Sequence, residues 1–141
     1  MARVARDIMT SDPTWIDANE TVDKAAQQLA SEDIGALPIC EDGKLTGMIT
    51  DRDIVVKVIA KGTDPTTVKV GTLAEGEAIT IGADDSIDEL VRTMRENDVR
   101  RLPVIDGTDL VGIVAQADVA VELGDRAGEL VADISASKSN N

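Results

Sequence analysis

The chain has no histidine, no phenylalanine and no tyrosine. Without histidine there is no Ser-His-Asp triad, no His-assisted cysteine and no imidazole metal ligand. No P-loop and no G-x-G-x-x-G phosphate loop occurs. Cysteine appears once, as Cys40, so an intrachain disulfide is excluded. Its apolar run, Leu37–Pro38–Ile39–Cys40, suits a buried structural thiol better than a reactive one. No apolar stretch approaches the roughly 18–20 residues of a membrane span. The first residues, with Arg3, Arg6 and Asp7, lack the apolar core of a signal peptide. Positive charge is scarce: 14 Lys and Arg stand against 27 Asp and Glu, a net charge of −13. A nucleic-acid surface needs clustered bases to displace counterions. Neither nucleic acid nor membrane is therefore expected as a partner, and the cytoplasm is the expected compartment. The acidity itself serves solubility, with a saline habitat as the alternative.

What the chain does contain is itself, nearly twice. The shift that carries Pro38 onto Pro103 lays Ile34–Gly35–Ala36–Leu37–Pro38–Ile39 over Val99–Arg100–Arg101–Leu102–Pro103–Val104. Without a gap it also lays Gly47–Met48–Ile49–Thr50–Asp51–Arg52–Asp53 over Gly112–Ile113–Val114–Ala115–Gln116–Ala117–Asp118. Solenoids need three or more copies, so two copies mean a pair. Two like units tend to pack face to face around a pseudo-two-fold axis, which duplicates any concavity at their contact. A half of about 60 residues is marginal alone, so the halves are expected to share one core.

Each repeat reads β-α-β-β-α, an α/β (α+β) pattern. Thr14–Trp15–Ile16 is a short strand. Val22, Ala25, Ala26 and Leu29 then mark one face of a helix with Thr21 as its N-cap. Ala36 to Cys40 and Leu45 to Ile49 form a hairpin around Glu41–Asp42–Gly43–Lys44. A second helix runs from Thr50 or Asp51 to about Ala60, closed by Gly62. In the second copy Ser86–Ile87–Asp88–Glu89 is a capping box, Arg101 to Ile105 and Leu110 to Val114 form the hairpin, and a helix begins near Ala115. The expected division is 5–61 for repeat one, 62–70 for a linker and 71–123 for repeat two. Residues 124–141 would hold a helix at Gly128 to Ile134 and a frayed tail.

The strand-to-helix junction Gly47-x-x-Thr50-x-x-Asp53 is the best candidate for chemistry. Gly47 permits close approach of a backbone or a ligand. Thr50 stands among unpaired N–H groups at the positive end of a helix, a natural anion site. Asp53 offers two acceptors, enough for the paired hydroxyls of a ribose. Ala36, Leu37 and Pro38 would supply a flat apolar wall. The same tetrapeptide is equally a plain capping arrangement. In the second copy Ala115 replaces the threonine yet Asp118 remains, which suggests another task for that carboxylate, though helix-dipole contact also accounts for it. Arg100 and Arg101 answer Gly35 and Ala36 and so belong to copy two alone. They could bind phosphate or be ordinary strand-edge arginines. Trp15 is open between packing, a subunit contact and base stacking.

The LPI/LPV strand, the hairpin and the G-h-x-[ST]-x-x-D motif, all repeated, make the chain resemble the CBS (cystathionine β-synthase) domain pair, or Bateman module. The resemblance covers roughly Ala5 to Leu123 and extends to small stand-alone pairs of the hypoxic-response type. It implies two β-α-β-β-α repeats about a pseudo-two-fold axis with clefts between them. It further implies a regulatory, non-catalytic module that binds AMP, ADP, ATP or S-adenosylmethionine, requires no cofactor or metal, forms a homodimer and signals to a downstream protein. Carried over by position, the first cleft uses Thr50 and Asp53, lined by Thr14, Ile16, Ala36, Leu37 and Pro38. The second uses Asp118, lined by Ile79, Ile81, Leu102 and Pro103, with Arg100 and Arg101 to offset the missing hydroxyl at Ala115. The alternative is a dimeric structural or interaction protein whose clefts no longer bind.

Overall fold

The computed structural model describes residues 4–74 and 78–124. In chain order it contains α1 (Ala5–Ile8), β1 (Thr10–Ser11), β2 (Ile16–Asp17), α2 (Val22–Glu32), β3 (Ala36–Glu41), β4 (Lys44–Thr50) and α3 (Asp51–Ile54). A π-helical stretch (Val55–Ile59) and two 3-10 turns (Pro65–Thr67 and Val70–Leu73) follow. The second half contributes β5 (Ile81–Gly82), α4 (Ile87–Asn97), β6 (Arg101–Asp106), β7 (Asp109–Ala115) and α5 (Gln116–Leu123). The expected helix at Gly128 to Ile134 and the tail lie outside the described residues. No helix among the described residues is long and apolar enough to cross a membrane.

Two compact units result: Thr14–Ala78, and Met1–Pro13 together with Ile79–Asn141. In the first, β2 runs parallel to β3 with Ile16 opposite Ile39, and β3 and β4 form an antiparallel hairpin. The second repeats this arrangement: β5 is parallel to β6 with Ile81 opposite Val104, and β6 pairs antiparallel with β7. There β1 joins β7, pairing Thr10 with Ile113. The first strand of repeat one begins two residues later than the apolar pattern suggests. Thr14 and Trp15 precede β2 instead of belonging to it.

Each unit has a core of its own. The buried side chains form two clusters, one in each unit. Ile16, Val22, Leu29, Leu37, Ile39 and Ile49 anchor the first, and Ile81, Leu90, Met94, Leu102, Val104 and Val114 the second. The reason lies in extra chain that each repeat recruits. Val68, Val70, Leu73 and Ala74, from the connector, pack on the first cluster. Ala5, Ile8 and Met9, from the leading segment, pack on the second. Each leading segment thus completes the core of the other repeat.

Gly47 and Gly112 make this possible. A Cβ on Gly47 would lie 2.6 Å from Cβ of Ala74. One on Gly112 would lie 2.8 Å from Cγ of Met9 and 2.9 Å from the Thr10 carbonyl oxygen. Met9 and Ala74 are equivalent under the repeat shift. Both glycines therefore clear space for equivalent segments of chain, the backbone-approach alternative of the two open to Gly47.

Helix ends are capped less simply than the motifs suggest. Thr21 occupies the N-cap of α2 but its hydroxyl makes no capping bond. The N3 N–H, of Lys24, donates to the Thr21 carbonyl at 3.0 Å instead, and the Val22 N–H donates to the Val68 carbonyl at 2.8 Å. Ser86 Oγ accepts from the Glu89 N–H at 3.1 Å, but the Glu89 carboxylate turns to Arg92, so only half of that capping box forms. Asp33 and Asp98 end α2 and α4 with φ of 54° and 58°, a left-handed conformation that aspartate tolerates better than most residues.

Candidate functional site

The two strand-to-helix junctions have the same frame. In the first unit the N–H of Asp51 donates to the Gly35 carbonyl at 3.0 Å. In the second the N–H of Gln116 donates to the Arg100 carbonyl at 2.7 Å. These bonds pin the start of each helix to the chain entering β3 or β6. They place Thr50 and Asp53, and likewise Ala115 and Asp118, at the end of the hairpin.

At the first junction the capping reading is realised in full. Thr50 Oγ1 accepts from the Asp53 N–H, and Asp53 Oδ2 accepts from the Thr50 N–H, both at 3.0 Å. Asp53 Oδ1 faces Lys57 Nζ at 3.4 Å, one turn on. Lys57 Nζ also reaches the Leu73 carbonyl at 3.5 Å. Both oxygens of the candidate ribose acceptor thus have partners within their own unit. The α-helix after them is a single turn. It widens at Val55–Ile59, where the Ala60 N–H donates back to Val55 and the Thr63 N–H to Val58.

At the second junction Asp118 Oδ2 accepts from the Ala115 N–H at 2.8 Å. The carboxylate therefore has a capping task that needs no hydroxyl partner, which the threonine-to-alanine change had obscured. Asp118→Ala should cost about 1 kcal/mol by orphaning that N–H. Urea unfolding checks this, and a loss below a few tenths would refute the capping role.

The apolar wall is divided by strand alternation. Leu37 points into the core of the first unit while Ala36 and Pro38, also buried, point the other way. Leu102 is likewise in its core, and Pro103 is buried on the opposite face. Ile16 and Ile81 are core residues at 4% and 3% exposure, so they shape the strands and present little surface to a ligand. Ile79 and Arg101 are exposed, and Arg100 is half-buried. Thr14 is half-buried and its hydroxyl donates to Glu32 at 2.6 Å. Trp15 is 49% exposed and belongs to neither core. Its carbonyl accepts from Gln28 Nε2 at 3.2 Å. Cys40 is buried, and burial, with Asp17 nearby, pushes its thiol pKa up, away from the reactive thiolate.

Sequence reasoning missed two atoms here. Arg100 Nε and Gln116 Oε1 are both buried and have no hydrogen-bond partner among the described residues. Residue type alone gives no such signal, since exposed arginine and glutamine are commonplace.

Comparison with known proteins places this geometry. The CBS domain family matches at residues 5–60 and 70–125. Hypoxic response protein 1 of Mycobacterium tuberculosis is 48% identical over 124 residues, 87% of each chain. A crystal structure of hypoxic response protein I with two coordinated zinc ions superposes with a TM-score of 0.79 at 49% identity, covering 85% of this chain and 98% of the other. The CBS domain pair of protein MJ0100, in complex with methylthioadenosine and S-adenosyl-L-methionine, gives 0.74 at 28% identity, covering 87% and 97%. Both repeats fall within the matched residues, and the chain belongs to the CBS domain family as a CBS domain pair.

Proposed function

We propose that the protein is a cytoplasmic regulatory CBS pair that binds adenine compounds of the AMP, ADP, ATP or S-adenosylmethionine class and passes their occupancy to a partner protein. The observation that carries this reading is the matched pair of Asp53 and Asp118 at the two pinned junctions. The Asp53 side chain is 25% exposed, and each carboxylate oxygen has two lone pairs, so acceptor capacity remains beyond the bonds already made. The adenosyl ligands of MJ0100 support the ligand class. No catalytic step belongs to this reading. Zinc is present in hypoxic response protein I, but this chain has one buried Cys and no His, and no group of three His, Cys, Asp or Glu among the described residues could hold a metal ion.

Self-association into a homodimer belongs to the same reading. Val55, Val56 and Ile59 expose 57%, 44% and 54% of their surface along one helical stretch, an apolar face suited to an isologous contact. Signalling then requires that ligand affinity differ between two states of the assembly. A second reading, a structural dimer with sites that do not bind, is favoured by the internal partners on both Asp53 oxygens.

Calorimetric titration of AMP, ADP, ATP and S-adenosylmethionine into wild type, Asp53→Ala and Asp118→Ala separates the two. Binding by wild type, weakened about ten- to a hundredfold in at least one variant, is the expected result. No binding of any of the four, with a dimer intact by sedimentation, supports the structural reading and removes the first.

A further inference from the structure

The two junctions share one frame but differ in what they offer an anion. In the first unit the pinned residues are Gly35 and Asp51, which supply no cation and one carboxylate. Thr50 Oγ1 is held as an acceptor by the Asp53 N–H, and Lys57, one turn on, is engaged by Asp53 and the Leu73 carbonyl. In the second unit the pinned residues are Arg100 and Gln116. Their side chains leave the backbone from groups 2.7 Å apart, and each buries a polar atom, Nε and Oε1, without a partner among the described residues. A buried unmet donor on a cation is costly, and native structures retain few such groups without a task.

Resting on the adenine-compound reading, the geometry points to the second repeat as the place where the phosphate is held, with Arg100 as its principal ligand and the Gln116 amide as a neutral partner. The hydroxyl absent at Ala115 is then not a defect. A guanidinium fork matches phosphate oxygens better than one hydroxyl does. A glutamine amide can turn to donate or accept, whereas the equivalent Asp51 would repel the anion. This reverses the ranking that motif completeness alone suggests.

The test is an NMR titration of the full chain with AMP, adenosine and inorganic pyrophosphate, in wild type, Arg100→Met, Arg100→Lys and Thr50→Val. AMP and pyrophosphate should shift the amides of Arg100, Gln116 and Ala115. Arg100→Met should weaken both about ten- to a hundredfold and leave adenosine within about twofold, with Arg100→Lys between. Thr50→Val should leave the AMP-to-adenosine ratio unchanged. A merely structural Arg100 would lower stability without moving that ratio. The inference is overturned if Arg100→Met keeps the ratio, or if the anions shift only the amides of Thr50 to Asp53. Should AMP and adenosine both fail on wild type, the adenine-compound reading falls and pyrophosphate alone decides. Binding lost in Arg100→Met keeps the anion site, and no binding ends it.

Discussion

Leu37→Ala and Leu102→Ala should each lower the unfolding free energy by about 2–5 kcal/mol. The two leucines are equivalent under the repeat shift and sit at 0% and 1% exposure, one in each core. Each is the first inward-facing residue of the strand that lies between its two neighbours, β3 between β2 and β4, β6 between β5 and β7. Truncation removes the transfer free energy of the lost methyl groups. It also leaves a cavity, which a strand held on both sides can close only in part. Urea denaturation followed by circular dichroism measures the effect. Fluorescence is a poorer probe, because the single tryptophan is half-exposed and outside both cores. A loss below about 1 kcal/mol for either variant would mean that the site collapses freely, against the packing described.

Gly47→Ala should destabilise by about 1–3 kcal/mol, the cost of forcing extra volume into a packed site. The new Cβ would meet the Cβ of Ala74 at 2.6 Å, far inside van der Waals contact. Ala74 closes the first core together with Leu73, so it cannot retreat without opening that core. The companion change Ala74→Gly removes the opposing atom and should restore most of the loss in the double variant. A double-mutant cycle isolates this coupling. Equal destabilisation with and without Ala74→Gly would show that Gly47 serves something other than the approach of this segment.

Much of the local structure was legible in the residues. The hairpins around Asp42–Gly43 and Gly107–Thr108 follow from short turn residues between apolar runs, and both form where expected. The helical stripe from Val22 to Leu29 is buried as its spacing predicts. Thr50, Asp53 and Asp118 were recognisable because their motif recurs. Their partners were not. That Asp118 bonds the Ala115 N–H depends on side-chain geometry that a four-residue pattern does not specify. The isolation of Arg100 Nε was invisible for a related reason: burial of one atom is a property of everything packed around it.

The repeat, its β-α-β-β-α order and the positions of its turns were determined by the sequence by itself, because periodicity and turn chemistry act between residues close in the chain. That Met9 closes over Gly112 and Ala74 over Gly47, each completing the core of its own unit, came from the tertiary structure alone. An apolar segment carries its hydrophobicity wherever it goes. Which core it joins is settled by shape and by the space a distant glycine leaves, and neither is written in the local pattern.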